Sequence, residues 1–353
     1  KSIIRFGFEK KAALISALLV AIYPFSIVWV PVGQAECLSI FILSLSMYVY
    51  SGKGRWTFIL LGIIIAAGFL VRPQIVFLFP AIAIAQMVVS RKKFFQSGLA
   101  MVLGFLMLYV WWPLRNYVNH DQIVFTRDIT TMRDWQEDVI YFQKYMNSMQ
   151  VGWEPQMTQI IHYKKVTFPE HAFHSDAVKD QLKEAIWRSR VCSDGFATFR
   201  YKTPLKFPCT ERTAHLWKKL YLNQVRADPF GHYVAVPLKA LGKALFKLNM
   251  VENWKSPNRS SWQKVAYSTL FSFRSLLILL GLFSCFKLLR IDMVHKQIAI
   301  VVLTYFAIWY GYLAFAIRFM EMRYLLQADL LLLLPLGIFL AHLSGRNTQV
   351  SKF

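Results

Sequence analysis

Four arginines stand where apolar runs of the chain meet polar ones. Arg72 lies in Phe69-Leu70-Val71-Arg72-Pro73, Arg115 lies in Trp112-Pro113-Leu114-Arg115-Asn116-Tyr117, and Arg318 and Arg323 lie in the turn before the last apolar run. Glu36, Asn116, Glu321 and Tyr324 accompany them. Guanidinium pairs with phosphate through two parallel hydrogen bonds, so residues of these types fit the binding of a phosphate group near a membrane surface. Each also admits a plainer role. Arg72 would serve as an interfacial anchor that snorkels to headgroups. Arg115-Asn116 would be the basic flank of an aromatic belt. Arg318, Glu321, Arg323 and Tyr324 would form a salt-bridged turn, and Glu36 a favourable acid in the first turn of a helix. Arg323 opens a helix, where the dipole opposes a cation, so it is more natural there if it shares an anionic ligand with the helix end. Asp329, one to two turns into the last run, is expected to face the interior and pair with an arginine or a backbone group.

The elements that must position these residues are membrane helices. Of 353 residues, 56% are hydrophobic, and they fall in long runs, which places the chain among multi-span membrane proteins. The run from Trp56 to Val89 would make a single helix ~50 Å long against a hydrocarbon core of ~30 Å. It therefore divides at Arg72-Pro73, since proline disfavours helix at the residue before it. Candidate spans cover 12–30, 35–50, 56–71, 74–90, 95–112, 267–286, 297–317 and 324–342, with Pro113 closing the fifth.

Basic clusters alternate with these spans. Arg5, Lys10 and Lys11 precede the first; Lys53 and Arg55 follow the second; Arg91, Lys92 and Lys93 follow the fourth; Lys287, Arg290 and Lys296 follow the sixth; and Arg346 follows the eighth. The positive-inside rule makes these loops cytoplasmic. Glu36, Arg72, Arg115-Asn116, the 117–265 segment, Arg318, Glu321, Arg323 and Tyr324 then face the other side, where arginines are usually scarce. The net charge of +22 is read as topology and affinity for anionic lipid, not as nucleic-acid binding.

The polar segment is too long for a loop without structure of its own. Asp176–Arg190 and Thr213–Arg226 read as amphipathic helices, the second with Leu216, Leu220 and Val225 on one side. Val234–Leu248, with Lys239, Lys243 and Lys247 four apart, reads as an interfacial helix, and Trp153, Trp217, Trp254 and Trp262 suit an interface. The expected organisation is residues 1–112 as five spans, 113–265 as a mainly helical cap docked on the bilayer, and 266–353 as three spans. Cys37 and Cys285 lie in or beside spans as packing residues. Cys192 and Cys209 lie in the cap, where an oxidising compartment would let them pair.

Walker-type, GxGxxG and GxSxG signatures are absent from the sequence. His171 and His174 have no obvious Cys or carboxylate partner for a metal, and neither a metal nor a cofactor is expected. The chain opens at Lys1 on what reads as a loop feeding a span, so an N-terminal portion is expected to be missing.

A set of motifs in order carries a resemblance. They are Ala21-Ile22-Tyr23-Pro24, Gln34-Ala35-Glu36, Gly68-Phe69-Leu70-Val71-Arg72-Pro73, Trp112-Pro113-Leu114-Arg115-Asn116-Tyr117, Asp228-Pro229 with Tyr233, and Arg323-Tyr324 before an apolar run reaching Pro335. Together they resemble polytopic GT-C fold glycosyltransferases, in the group of protein O-mannosyltransferases and bacterial aminoarabinose transferases of lipid A. The resemblance is weakest over 120–210. It implies a polyprenyl-phosphate-linked sugar donor, an acceptor that is a lipid, glycan or protein, and transfer on the outer face of the membrane. Arg72, Arg115 and Arg323 would be ligands of the lipid phosphate or guards of the donor cavity. Glu36 matches the acidic residue that opens this span in the family. The acidic residue that acts as catalytic base in such enzymes lies in a first outer loop, which this chain is expected to lack, so no catalytic residue is assigned within it.

The expectation is thus an inner-membrane glycosyltransferase of bacterial type, α-helical and polytopic, with about eight spans and an extracytoplasmic cap. The rivals are a transporter or flippase for an anionic lipid-linked substrate, which a one-sided cap and the lack of an internal repeat disfavour, and a non-catalytic membrane assembly protein.

Overall fold

A computed structural model describes residues 1–29, 35–52, 54, 56–89, 91–121, 123–125, 135–149, 153–168, 175–246, 260–318 and 322–350. Among these residues the regular structure is helical. The contacts divide the chain into two units. One comprises Lys1–Phe125, Gly242–Leu313 and Met320–Phe353, the other Thr126–Leu241 and Ala314–Phe319.

In the first unit, α1 (Lys10–Ala21) is followed by α2 (Pro24–Trp29), α3 (Ala35–Tyr50) and α4 (Thr57–Val71). The expected span 12–30 is therefore not one helix. Pro24 begins α2 at the position where a missing N–H costs nothing, and it drives Tyr23 before it out of the helix. The division of 56–89 falls where proline sterics put it. Arg72 is extended, with φ −147° and ψ 113°, and a 3₁₀ turn over Pro73–Phe77 leads into α5 (Leu78–Val89).

α6 (Arg91–Tyr109) packs on α4 through glycines. A Cβ on Gly62 would lie 2.1 Å from the Met101 carbonyl oxygen, and one on Gly104 would lie 2.1 Å from that of Ile59. Backbones this close need small residues, as is usual for helices packed without a hydrophobic driving force between them. α7 (Trp111–His120) continues α6 across Val110, which keeps helical angles. Pro113 does not close the span as expected. It sits in the first turn of α7, where its missing N–H has no helical partner to lose.

Among the described residues, four segments are long and apolar enough to cross a membrane: Phe94–His120, Ser261–Leu288, Met293–Ile317 and Met322–Ser344. Ala35–Tyr50, Thr57–Val71 and Pro73–Val89 are apolar but shorter. The chain is an α-helical polytopic membrane protein, as expected, and the shorter apolar helices coincide with expected spans under 20 residues.

In the second unit, α8 (Glu137–Ser148) and α9 (Trp153–Ile161) are joined by α10 (Asp176–Val191), α11 (Asp194–Tyr201) and α12 (Thr210–Ala227). Val139, Phe142 and Met146 recur at helical spacing on α8 and bury against Trp153, Leu182, Phe196, Trp217 and Leu220. Trp153 and Trp217 are thus core residues, not interfacial ones. Trp217 is fully buried, and its indole donates to Ser189 Oγ at 3.0 Å. The buried stripe of α12 runs through Thr213, Ala214, Trp217 and Leu220, whereas Leu216 and Val225 are half-buried. Cys192 and Cys209 form a disulfide. Asp138 is fully buried in this unit, accepting from Ser193 Oγ and from the Val139 N–H at 2.8 Å. Burial pushes its carboxyl up to about 6 against those hydrogen bonds.

After a π-helical stretch over Gly231–Ala235, α13 (Val236–Leu245) ends before the expected Leu248, and Lys247 and Trp254 lie outside the described residues, as do His171 and His174. The chain then forms α14 (Ser261–Leu288), α15 (Met293–Gly311), a second π-helical stretch over Tyr312–Ile317, and α16 (Met322–Val350).

Candidate functional site

Glu36 lies in the first turn of α3, and Arg72 caps the C-terminus of α4. Each charge complements the dipole of its own helix. The two side chains form an ion pair in which Glu36 is 1% exposed and Arg72 18%. The second carboxylate oxygen, Glu36 Oε2, is buried and has no hydrogen-bond partner among the described residues. A buried acceptor left unpaired is costly, so this atom is a place for a donor to arrive.

α16 brings the other half of the cluster. The Arg72 guanidinium lies 5.7 Å from the centroid of the Tyr324 ring, and the Arg323 guanidinium lies 4.9 Å from it. Arg323 Nη2 also donates to the Tyr324 hydroxyl at 3.2 Å. Trp309 on α15 fixes the backbone beneath this ring, its indole donating to the Tyr324 carbonyl at 2.7 Å. One turn into α3, Ser39 Oγ donates to the Glu36 carbonyl at 2.7 Å and accepts from the Gln327 amide. This tie sets the register between α3 and α16 and so holds Glu36 opposite Tyr324. Reading the sequence did not single out Ser39, and a serine and a glutamine 288 positions apart leave no local sign that they will meet.

The remaining candidates behave differently. Arg115 lies 5.9 Å from the Trp112 ring and is exposed on α7. Asn116 is buried and donates to the Val124 carbonyl at 3.4 Å. Neither has a contact with the Glu36 cluster among the described residues. Arg318 makes its contacts inside the second unit, with His232 and Tyr233. Glu321 lies outside the described residues.

A second polar cluster is fully buried in the first unit. Asp329 on α16 accepts from Arg274 Nε at 2.8 Å, from the Tyr23 hydroxyl at 2.6 Å and from the Tyr310 hydroxyl. Arg274 Nη1 donates to the Ala244 carbonyl at 2.6 Å, and Nη2 to the Tyr310 oxygen at 2.8 Å. Asp329 faces the interior and pairs with an arginine, as its position implied. That arginine, Arg274, escaped the sequence reading, although an arginine inside the apolar run Thr269–Leu280 is itself a signal. The network ties α14, α15, α16 and Tyr23 together around a charge pair, and every described contact within it is internal.

Comparison with curated proteins finds no match, and comparison with solved structures finds none. Residues 2–115 match the family model described as dolichyl-phosphate-mannose-protein mannosyltransferase. That stretch contains both members of the Glu36–Arg72 pair, and the match supports a GT-C-like membrane glycosyltransferase.

Proposed function

We propose that this protein transfers a sugar from a polyprenyl-phosphate donor to a lipid, glycan or protein hydroxyl on the outer face of a bacterial inner membrane, with the 113–265 segment on that side. The observation that carries this reading is the convergence of Glu36, Arg72, Arg323 and Tyr324 from three separate helices. In an inverting transfer the acceptor oxygen attacks the anomeric carbon, the bond from that carbon to the phosphate oxygen breaks, and the electron pair leaves with the phosphate. Charge therefore grows on the phosphate. Arg72 and Arg323 stabilise it as preorganised donors in a water-poor site. Glu36, engaged by Arg72 through one oxygen, is assigned to binding, with Oε2 accepting a hydroxyl of the sugar. The proton of the acceptor passes to a base outside this cluster.

Transfer from a radiolabelled polyprenyl-phosphate sugar, measured in membranes of cells expressing the full-length protein, tests the reading. Arg72→Gln is expected to lower kcat/KM at least about tenfold, the loss of a charge-assisted hydrogen bond, with membrane insertion unchanged. Unchanged turnover rejects the phosphate role of Arg72. Movement of the lipid-linked sugar across the bilayer without a transfer product would favour a transporter instead.

A further inference from the structure

Arg318 has an unusual set of surroundings, all within the second unit. Its φ is +59°, the left-handed region that residues with a side chain rarely occupy. Such strain persists where surrounding structure holds it, and it clusters at ligand clamps. The residue directly follows the π-helical stretch Tyr312–Ile317, and its partners His232 and Tyr233 belong to the other π-helical stretch, Gly231–Ala235. Helical turns of this kind are rare and concentrate at functional sites.

The hydrogen bond between Arg318 and His232 fixes the chemistry. Arg318 Nη1 lies 2.8 Å from His232 Nδ1. A guanidinium can only donate, so Nδ1 accepts and the ring proton sits on Nε2. His232 is 3% exposed, and burial together with the Arg318 charge pulls it down to about 4. The pair thus holds one positive charge at neutral pH, carried by Arg318, with the buried imidazole Nδ1 holding one edge of the guanidinium. Asp228, the acid of this stretch, is engaged by the Gly231 N–H at 2.7 Å. Among the described residues no carboxylate forms an ion pair with Arg318. Tyr233, 59% exposed, offers its ring beneath the guanidinium at 5.7 Å and packs edge-on against His232 at 4.8 Å.

A half-buried guanidinium strained into place, backed by a neutral imidazole and flanked by an exposed aromatic ring, has the parts of an anion clamp beside a stacking platform. The geometry points to a phosphate-binding site made by Arg318 and His232, with Tyr233 as the surface for a sugar ring or other flat group attached to that phosphate. The remaining edge of the guanidinium takes two phosphate oxygens. The donor's phosphate is already given to Arg72 and Arg323, so the phosphate bound here is one carried by the acceptor. The site stands on its own contacts and does not depend on the role given to Glu36 and Arg72.

The test uses the full chain in detergent micelles with inorganic phosphate as the probe, at constant ionic strength with chloride as the control. The readout is the imidazole NMR signal of His232, identified by its disappearance in His232→Gln. In the wild type the signal is expected to move saturably with phosphate and not with chloride. In Arg318→Gln the apparent affinity is expected to fall at least about tenfold. Arg318→Gly, which suits the left-handed backbone, provides a second variant lacking the guanidinium should Arg318→Gln fail to fold. A His232 signal indifferent to phosphate, or a response that survives in both Arg318 variants, overturns the proposal. So does a response that appears only in Glu321→Gln, which would mean that the guanidinium already has an internal counter-ion. Steady-state transfer then tests the assignment to the acceptor. Arg318→Gln is expected to raise KM for the acceptor alone, and a rise in KM for the donor alone overturns the assignment to the acceptor. Loss of transfer in Arg72→Gln with the phosphate response of His232 intact would leave the two sites independently supported.

Discussion

Arg274 Nε and Asp329 Oδ2 lie 2.8 Å apart, and both side chains are completely buried. The pair sits among apolar helices, with Tyr23 and Tyr310 completing the hydrogen bonds of the carboxylate and the Ala244 carbonyl taking another guanidinium N–H. Its energetics follow from desolvation. Two charges removed from water are tolerated only when their geometry is good and their remaining donors and acceptors are satisfied.

Removing one member should therefore cost far more than removing both. Arg274→Met or Asp329→Leu alone is expected to destabilise the protein by about 3–5 kcal/mol, because each leaves an uncompensated buried charge. The double variant is expected to recover most of that loss. Unfolding in detergent micelles, followed by tryptophan fluorescence, measures all three. A double variant as unstable as the sum of the two singles would show that the side chains do not act as a pair.

Glu36 and Arg72 are expected to be coupled in the same sense, and the coupling should appear in catalysis as well as in stability. A double-mutant cycle with Glu36→Gln and Arg72→Gln should give an interaction energy of about 1–3 kcal/mol, typical of residues in direct contact. Strict additivity in both stability and kcat/KM would deny the ion pair in the working protein.

Tyr324 separates ring from hydroxyl. Tyr324→Phe keeps the surface against which Arg72 and Arg323 lie and removes the hydroxyl that accepts from Arg323 Nη2. It is expected to cost about 1 kcal/mol or less in transition-state binding. Tyr324→Leu, which removes the ring, is expected to raise the donor KM several-fold more than Tyr324→Phe does. Equal effects of the two substitutions would assign the role to the hydroxyl.

The disulfide Cys192–Cys209 closes a loop with a sequence separation of 17. Constraining the unfolded chain to this extent is worth about 3 kcal/mol. Cys192→Ser with Cys209→Ser should lower the unfolding midpoint of the second unit by a corresponding amount, and added reductant should then have no further effect. A reductant-sensitive midpoint in the double variant would point to Cys37 or Cys285.

Asp138 gives the second unit a pH dependence of definite sign. Its carboxyl is raised from 3.8 to about 6 by burial, so the folded state binds its proton more tightly than the unfolded chain does. Its contribution to stability therefore increases as pH falls through about 6 towards 4, by about 3 kcal/mol in full. His232, lowered to about 4, works in the opposite direction, losing stability as pH falls from 6.5. The difference between wild type and Asp138→Asn isolates the first effect. The gap in unfolding free energy should shift in favour of the wild type as pH is lowered from 7 to 4.5, and a gap constant with pH would refute the assignment.

What could be read from the sequence was what acts over a few residues. Pro73 excludes helix at Arg72, so the break in the apolar run was decided locally, and the charge and apolar periodicity of 176–190 marked α10 before any packing was known. Hydropathy also settled the class, because a long apolar run has the same meaning whatever surrounds it. The same reasoning misjudged Pro113 and Trp217. Proline is as much at home in the first turn of a new helix as at the end of an old one, and a tryptophan suits an interface and a core equally well. The partners were decided by tertiary structure alone. Nothing near Asp329 in sequence announces Arg274 or Tyr23, and nothing near Glu36 announces that Gln327 will hold its helix in register. A charge or a hydroxyl on an apolar helix must find a mate, but which one it meets depends on how distant helices pack, and packing is a property of the whole assembled surface rather than of any stretch of chain.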